Sequence, residues 1–256
     1  MLSPLSMAFF RIAIASTVLV DIGNRIIDLS AHYSDLGVLP HSILLSRHWN
    51  EYYFSFHLIS GHAFWQMTLM FVAAIVAGLM AIGYKTQLMT ALSWLLLISL
   101  HNKNPLVLQG GDVFLRAVLF WAMFLPIGMK LSVDSYIPSH LTNNPTVTNS
   151  LTFKRKWFHL IPELCMMLQI SHVYFFAGIT KWFEPSWQAG EGLFYALHTD
   201  QFTTRLALWL QTLDLPLKTA NDFVIYAETC VPLFMFMPFK NAWFRLVTAF
   251  SLWGIH

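Results

Sequence analysis

Between Ala63 and Gly83 the chain runs apolar, without an Asp, Glu, Lys or Arg. About 20 such residues are what a helix needs to cross a bilayer's hydrocarbon core, where every backbone N–H and C=O must find its partner within the segment. Comparable runs recur along the chain, and most charged residues fall between them or at their ends. This pattern excludes an ordinary soluble core. Of the 256 residues, 56% are hydrophobic and 11% charged, against about 25% charged in a soluble domain. Aromatic residues make up 16%, with 22 Phe and 10 Trp, a content suited to lipid-facing surfaces and interfacial belts. The net charge of +2 is small and scattered. No basic stripe interleaved with aromatics is present, so nucleic acid is not an expected partner.

The runs predict an all-α, polytopic transmembrane bundle of about seven spans forming one domain over 1–256. The first covers about Met7 to Leu29, and its Arg11, Asp21 and Arg25 mark it as a retained helix rather than a cleaved signal. A polar connection follows through Gly37 and Pro40. The aromatic, histidine-rich segment Leu44 to Gly61 reads as a helix lying in the interface. Further spans are expected at about Ala63 to Gly83 and Gln87 to Leu100, the latter stopped by Pro105. Asp112 is the expected N-cap of a fourth span that ends near Pro126 to Lys130. An exposed loop is expected from Leu131 to Trp157, then a fifth span from His159 to Trp182. A second amphipathic surface segment runs from Glu191 to Leu215, followed by a sixth span at about Thr219 to Phe239. A seventh begins at Asn241 and is still apolar at His256. It is too short to cross, so the natural chain is expected to continue.

Loop charges set the orientation. One side holds Lys85, Lys130, Lys154, Arg155, Lys156 and Lys240; the other holds Arg47, Lys103, Arg205 and Lys218. The dense basic cluster predicts a cytoplasmic N-terminus in a cell (inner) membrane. Asp21, Arg25, Asp112, Arg116, Lys181 and Glu184 then fall near the outer boundary, and Glu228 near mid-depth.

Ionisable groups at membrane depth are either functional or paired. Asp21 with Arg25, and Asp112 with Arg116, stand one turn apart and read first as structural pairs. Glu228 has no local partner, which leaves a function and a cross-helix bond equally open. Lys181 follows Gly178 and Tyr174 on one helical face. Its plain reading is a terminal lysine snorkelling to headgroups; the functional one is a desolvated amine acting as general base. His101, Asn102 and Asn104 could hydrogen-bond a developing anion. The histidines lack metal-ligand spacing. Cys165 and Cys230 lie in apolar runs without a Cys-x-x-Cys, so neither a redox pair nor a zinc site is expected.

Three stretches carry a resemblance: His32 to Pro40 (HYSDLGVLP), Ser99 to Asn104 with Gly110-Gly111-Asp112, and Tyr174 to Trp182 followed by Trp187 and Gly190. Together they resemble the HTTM domain, the membrane domain related to vitamin K-dependent gamma-carboxylase. The resemblance implies that Lys181 is the base, as for the lysine that deprotonates vitamin K hydroquinone, and that Asn102 is an oxyanion-stabilising group. It implies a reduced, vitamin K-like quinone as cofactor and an active site on the non-cytoplasmic side. The carboxylase's soluble substrate domain is not within these residues, so recognition of a substrate glutamate is not implied. The chain is more similar to short bacterial members like the sporulation-delaying-protein B maturation factor. That similarity implies a role in maturing a secreted peptide, with a small partner protein. The expected site comprises Lys181, Asn102 and His101 as catalytic residues, with Tyr174, Gly178, Asp21, Arg25, Arg116 and Glu228 around the pocket.

Overall fold

The computed structural model describes residues 3–48, 50, 52–136, 145–199, 205–211 and 217–236, with 145–159, 206, 207, 210 and 235 as backbone. Every regular element among them is helical, with no strand among the described residues. Among the described residues three helices are long and apolar enough to cross a membrane: Pro4–Ile27, Ala63–Ile82 and the Leu160–Phe183 part of a longer helix. Two compact units divide the chain, Met1–Cys165 and Met166–His256.

The first unit contains α1 (Pro4–Ile27), α2 (Ala63–Ile82), α3 (Thr86–Lys103) and α4 (Gly110–Ala122). Ser3 caps α1 by accepting the Ser6 N–H at 3.1 Å, and Pro4 sits where no N–H is needed. Helix α2 ends at Gly83, whose φ of +74° opens the reversal into α3. Helix α1 packs on α2, α2 on α3 and α3 on α4. The α1 face against its neighbours holds Ala8, Ile14, Ala15, Val18 and Ile22, and the α2 face holds Met70, Ala73, Ala77 and Met80. The alanines let the two backbones approach. The opposite faces expose Phe9, Val20, Phe64, Phe71 and Ile75, as suits helices long and apolar enough to cross a membrane.

Polar groups close both ends of this bundle. At one end the buried Arg11 donates to the carbonyls of Ala81 at 3.3 Å, Ile127 at 2.9 Å, Lys130 at 3.3 Å and Leu131. It thereby ties the turn after α4 to the C-terminal carbonyls of α2. Asp134 caps α3 from outside, accepting the backbone N–H of Lys85 at 2.8 Å and of Thr86 at 2.7 Å. Burial pushes the Asp134 carboxyl up, but the Thr86 and Lys85 hydrogen bonds outweigh it and hold the group below the usual carboxylate range.

At the other end the segment from Tyr33 to His62 folds over α2 and α3. The Ser99 hydroxyl accepts the Phe56 N–H at 2.7 Å, Asn102 donates to Phe54 O at 2.9 Å, and Asn104 donates to His32 O at 2.7 Å. The interfacial helix expected over Leu44 to Gly61 is not formed. Single turns at Leu44–His48 and Phe56–Leu58 take its place. Side chains at the end of α3 supply the partners that helical bonds would have supplied, and the aromatics Tyr52, Tyr53 and Phe54 are poor helix formers.

Other boundaries also differ from expectation. The N-cap of α4 is Gln109, and Asp112 is its third residue, accepting the Gln109 N–H at 2.8 Å. Helix α4 has 13 residues, about 20 Å at 1.5 Å per residue, and turns carry the chain on to Leu131. Beyond it the expected loop over Leu131 to Trp157 is shorter: Val133–Tyr136 is a helical turn, and α5 (Pro145–Phe183) begins well before His159. Pro145 opens that helix as a first-turn residue, and no Gly or Pro follows until Pro162 inside it. Residues 137–144 of that loop lie outside the described ones.

The second unit holds the end of α5, a turn at Pro185–Gln188, α6 (Gly192–His198), α7 (Arg205–Gln211) and α8 (Leu217–Cys230). Helix α8 tightens into a 3-10 turn over Val231–Phe236. The surface segment from Glu191 to Leu215 is therefore two short helices, with 200–204 and 212–216 outside the described residues. Residues 237–239 of the sixth expected span, and all of the seventh from Asn241, also lie outside. Asn221 of α8 binds the turn and α6 together, donating to Trp187 O at 2.9 Å and accepting the Leu193 N–H at 3.2 Å. Gly178 lets α5 meet α8, because a Cβ there would fall on the Thr229 side chain and backbone.

Candidate functional site

Lys181 sits in the last turn of α5, where the close approach at Gly178 brings α8 alongside. Its ammonium donates to the Glu228 carboxylate, forming an ion pair between helices. The Glu228 side chain is 4% exposed and that of Lys181 21%. The same ammonium stands 4.8 Å from the ring centre of Trp187, within cation–π range. Trp182 donates its indole N–H to Thr229 at 3.2 Å and packs edge-on against Tyr226. A cavity of about 370 Å³ opens here, lined by Lys181, Trp182, Trp187, Gln188, Asp222 and Tyr226. Tyr174, two turns earlier on the same face, lies within electrostatic reach of Glu228.

The chemistry follows from the pairing. An ammonium held by a carboxylate is not yet a base. It becomes one only when its proton passes to Glu228 or to another acceptor. The pair stands at the mouth of an aromatic-walled cavity. Glu228, open to either reading in sequence, makes the cross-helix bond.

The first unit carries a second centre. Arg25 Nε donates to both Asp21 oxygens at 2.9 and 3.0 Å, one terminal nitrogen donates to Tyr33 Oη at 2.7 Å, and the other to Asp112 Oδ1 at 2.6 Å. The Asp21–Arg25 pair matches the one-turn spacing. Asp112, in contrast, pairs with Arg25 and not with Arg116, which lies half-buried in the next turn of α4. Its carboxylate is turned back by the Gln109 N–H, away from the fourth residue on. Burial pushes the Tyr33 phenol up, so it stays protonated beside the guanidinium. His101 is fully buried, with Nε2 at 3.7 Å from Asp21 and 3.8 Å from Asp112.

The residues expected to form one site thus fall into groups. Lys181, Glu228, Gly178 and Tyr174 come together in the second unit. Asp21, Arg25 and His101 come together in the first, with Asp112. Asn102 spends its amide on Phe54 O, fastening the overlying segment.

Sequence reasoning missed Tyr33 as the partner of Arg25 and Trp187 as the wall behind Lys181. It also missed Asp35, which accepts the His41 N–H at 3.0 Å and has Lys103 at 3.7 Å. Burial pushes Asp35 up, yet the His41 hydrogen bonds outweigh it and hold the carboxyl low. Tyr33, Asp35 and Trp187 all lie in the stretches that carry the resemblance, the available signal for them. No family model, curated protein or solved structure matches this chain.

Proposed function

We propose that this is an integral membrane protein that modifies or matures a secreted peptide, with Lys181 as general base in an outward-facing pocket. The observation carrying this reading is the Lys181–Glu228 pair beside Trp187 at the edge of a cavity of about 370 Å³. The two groups share one transferable proton where aromatic walls limit water. In this reading α3, α4 and α8 cross the membrane together with the three long apolar helices, and the N-terminus is cytoplasmic. The packing of α3 on α2 and of α4 on α3 supports that topology, as do the basic loops at Lys85 and Lys130.

The test is complementation in a host whose peptide maturation depends on this chain. Lys181→Met and Glu228→Gln should each abolish mature peptide while the protein still reaches the membrane. Full maturation with Lys181→Met would leave a non-enzymatic export factor, working with a small partner protein, as the better reading.

A second enzymatic reading is a carboxylase- or epoxidase-like reaction that consumes a reduced quinone. It is favoured by the flat walls of Trp182, Trp187 and Tyr226, which fit a planar ring. Purified protein given a reduced quinone and dioxygen should then form the quinone epoxide and water, and Lys181→Met should not.

A further inference from the structure

At the Arg25 end of the first unit the charges do not cancel. Asp21 and Asp112 bring two negative charges to one guanidinium, with side chains 20%, 12% and 11% exposed. An uncompensated charge at such depth is costly. Next to it lies His101, with no exposed surface and neither ring nitrogen hydrogen-bonded. Its Nε2 faces both carboxylates, at 3.7 and 3.8 Å. These separations are too long for hydrogen bonds. They are near the spacing of two donors on one metal ion. With metal–ligand bonds of about 2.0–2.2 Å, tetrahedral angles hold neighbouring donors roughly 3.3–3.6 Å apart. One ligand atom from each of Asp21, His101 and Asp112 lies within 4.8 Å of the other two.

We propose that Asp21, His101 and Asp112 bind one divalent transition-metal ion. One imidazole nitrogen and two carboxylates form a mixed N/O set that suits Zn²⁺ or Mn²⁺ and supplies no soft sulfur donor. Arg25 remains on the same carboxylates, since each oxygen has two lone pairs and can accept a guanidinium N–H while ligating a cation. It orients the two carboxylates as an outer-shell partner. The adjoining cavity of about 360 Å³, lined by Asn24, Asp28, His32 and Gln109 as well as by both carboxylates, gives the ion its route in and a place for bound water. The site lies wholly in the first unit and does not depend on Lys181.

The experiment uses the full chain, freed of any affinity tag, in detergent. Metal is stripped with a chelator, Zn²⁺ is added back, and the protein is desalted for elemental analysis. Thermal unfolding is followed with and without Zn²⁺. Co²⁺ serves as a coloured stand-in whose absorption reports N/O coordination. About one ion per chain should be retained, with a Zn²⁺-dependent rise in Tm. His101→Gln should weaken binding by more than about 100-fold, the upper range for loss of an outer-shell partner alone, and should remove the rise in Tm. Should His101→Gln fail to fold, Asp21→Asn, which keeps an oxygen for Arg25, serves in its place. Lys181→Met should retain the ion, which separates this proposal from the proposed function. No retained metal, or equal retention by His101→Gln and Asp21→Asn, would overturn the site.

Discussion

Among the described residues, the Arg25 and Lys181 ion-pair centres each hold helices together, and they use their cations differently. Arg25 spends its donors on two carboxylates and a phenol, from three different parts of the first unit. Lys181 makes one bond, to Glu228, and turns what remains toward an aromatic wall and a cavity. A planar guanidinium bound to several acceptors at once is a clamp, because the loss of one partner leaves the others holding it. An ammonium with a single carboxylate is exchangeable, because one incoming anion can replace that carboxylate. The candidate for proton chemistry is therefore the simpler centre, and the more elaborate one holds the fold.

That contrast can be broken by substitution. Arg25→Met should have the largest effect on stability, about 3–5 kcal/mol or more, because it leaves Asp21 and Asp112 facing each other unneutralised. Thermal unfolding in detergent measures it. A loss smaller than that of Lys181→Met would reverse the ranking of the two centres. Lys181→Met should follow at about 3 kcal/mol, the low end for stranding one buried charge, with Glu228 left alone. Adding Glu228→Gln should return most of the lost stability while the proposed peptide maturation stays abolished. If the double variant regains function, Lys181 is only a strut.

The lid over the Arg25 end has its own pH signature. Burial pushes His57 down to about 4 despite its hydrogen bond with Gln66. Unfolded, the same ring titrates near 6.5. Between these values the unfolded chain binds the extra proton, so stability is full above about pH 6.5 and falls as pH drops toward 4. At about 1.4 kcal/mol per unit the loss approaches 3 kcal/mol. Unfolding midpoints across that range should flatten in His57→Phe. The smallest effect is expected at Gly178→Ala, about 1–3 kcal/mol, from forcing α5 off Thr229. Its sharper consequence is on the pair: with Lys181 carried away from Glu228, maturation should fall more than stability does.

Several parts of this arrangement are legible in the residue order. Asp21 and Arg25 are one turn apart and meet on any helix. Gly178 beside Lys181 announces a close approach, and Glu228 announces a buried partner. The partners themselves are not legible, because they stand far apart in sequence. Glu228 lies 47 residues from Lys181, and Asp112 lies 87 from Arg25. The expected Asp112–Arg116 pair fails for a local reason: the third residue of a helix is within reach of the N-cap N–H, and Asp112 takes it. Arg11 shows another limit. A charge in an apolar run demands partners, but its partners are four backbone carbonyls, which no residue type marks.

By itself the sequence determined the helical class of the described residues. Apolar runs of membrane length satisfy their backbones within the segment as helices, and three of the described helices are long and apolar enough to cross a membrane. Tertiary structure decided where those helices end, whether the histidine-rich segment is a helix or a strapped-down loop, and which charges share a centre. These outcomes depend on side chains that pair across helices, at distances set by packing, and no local periodicity encodes such a meeting.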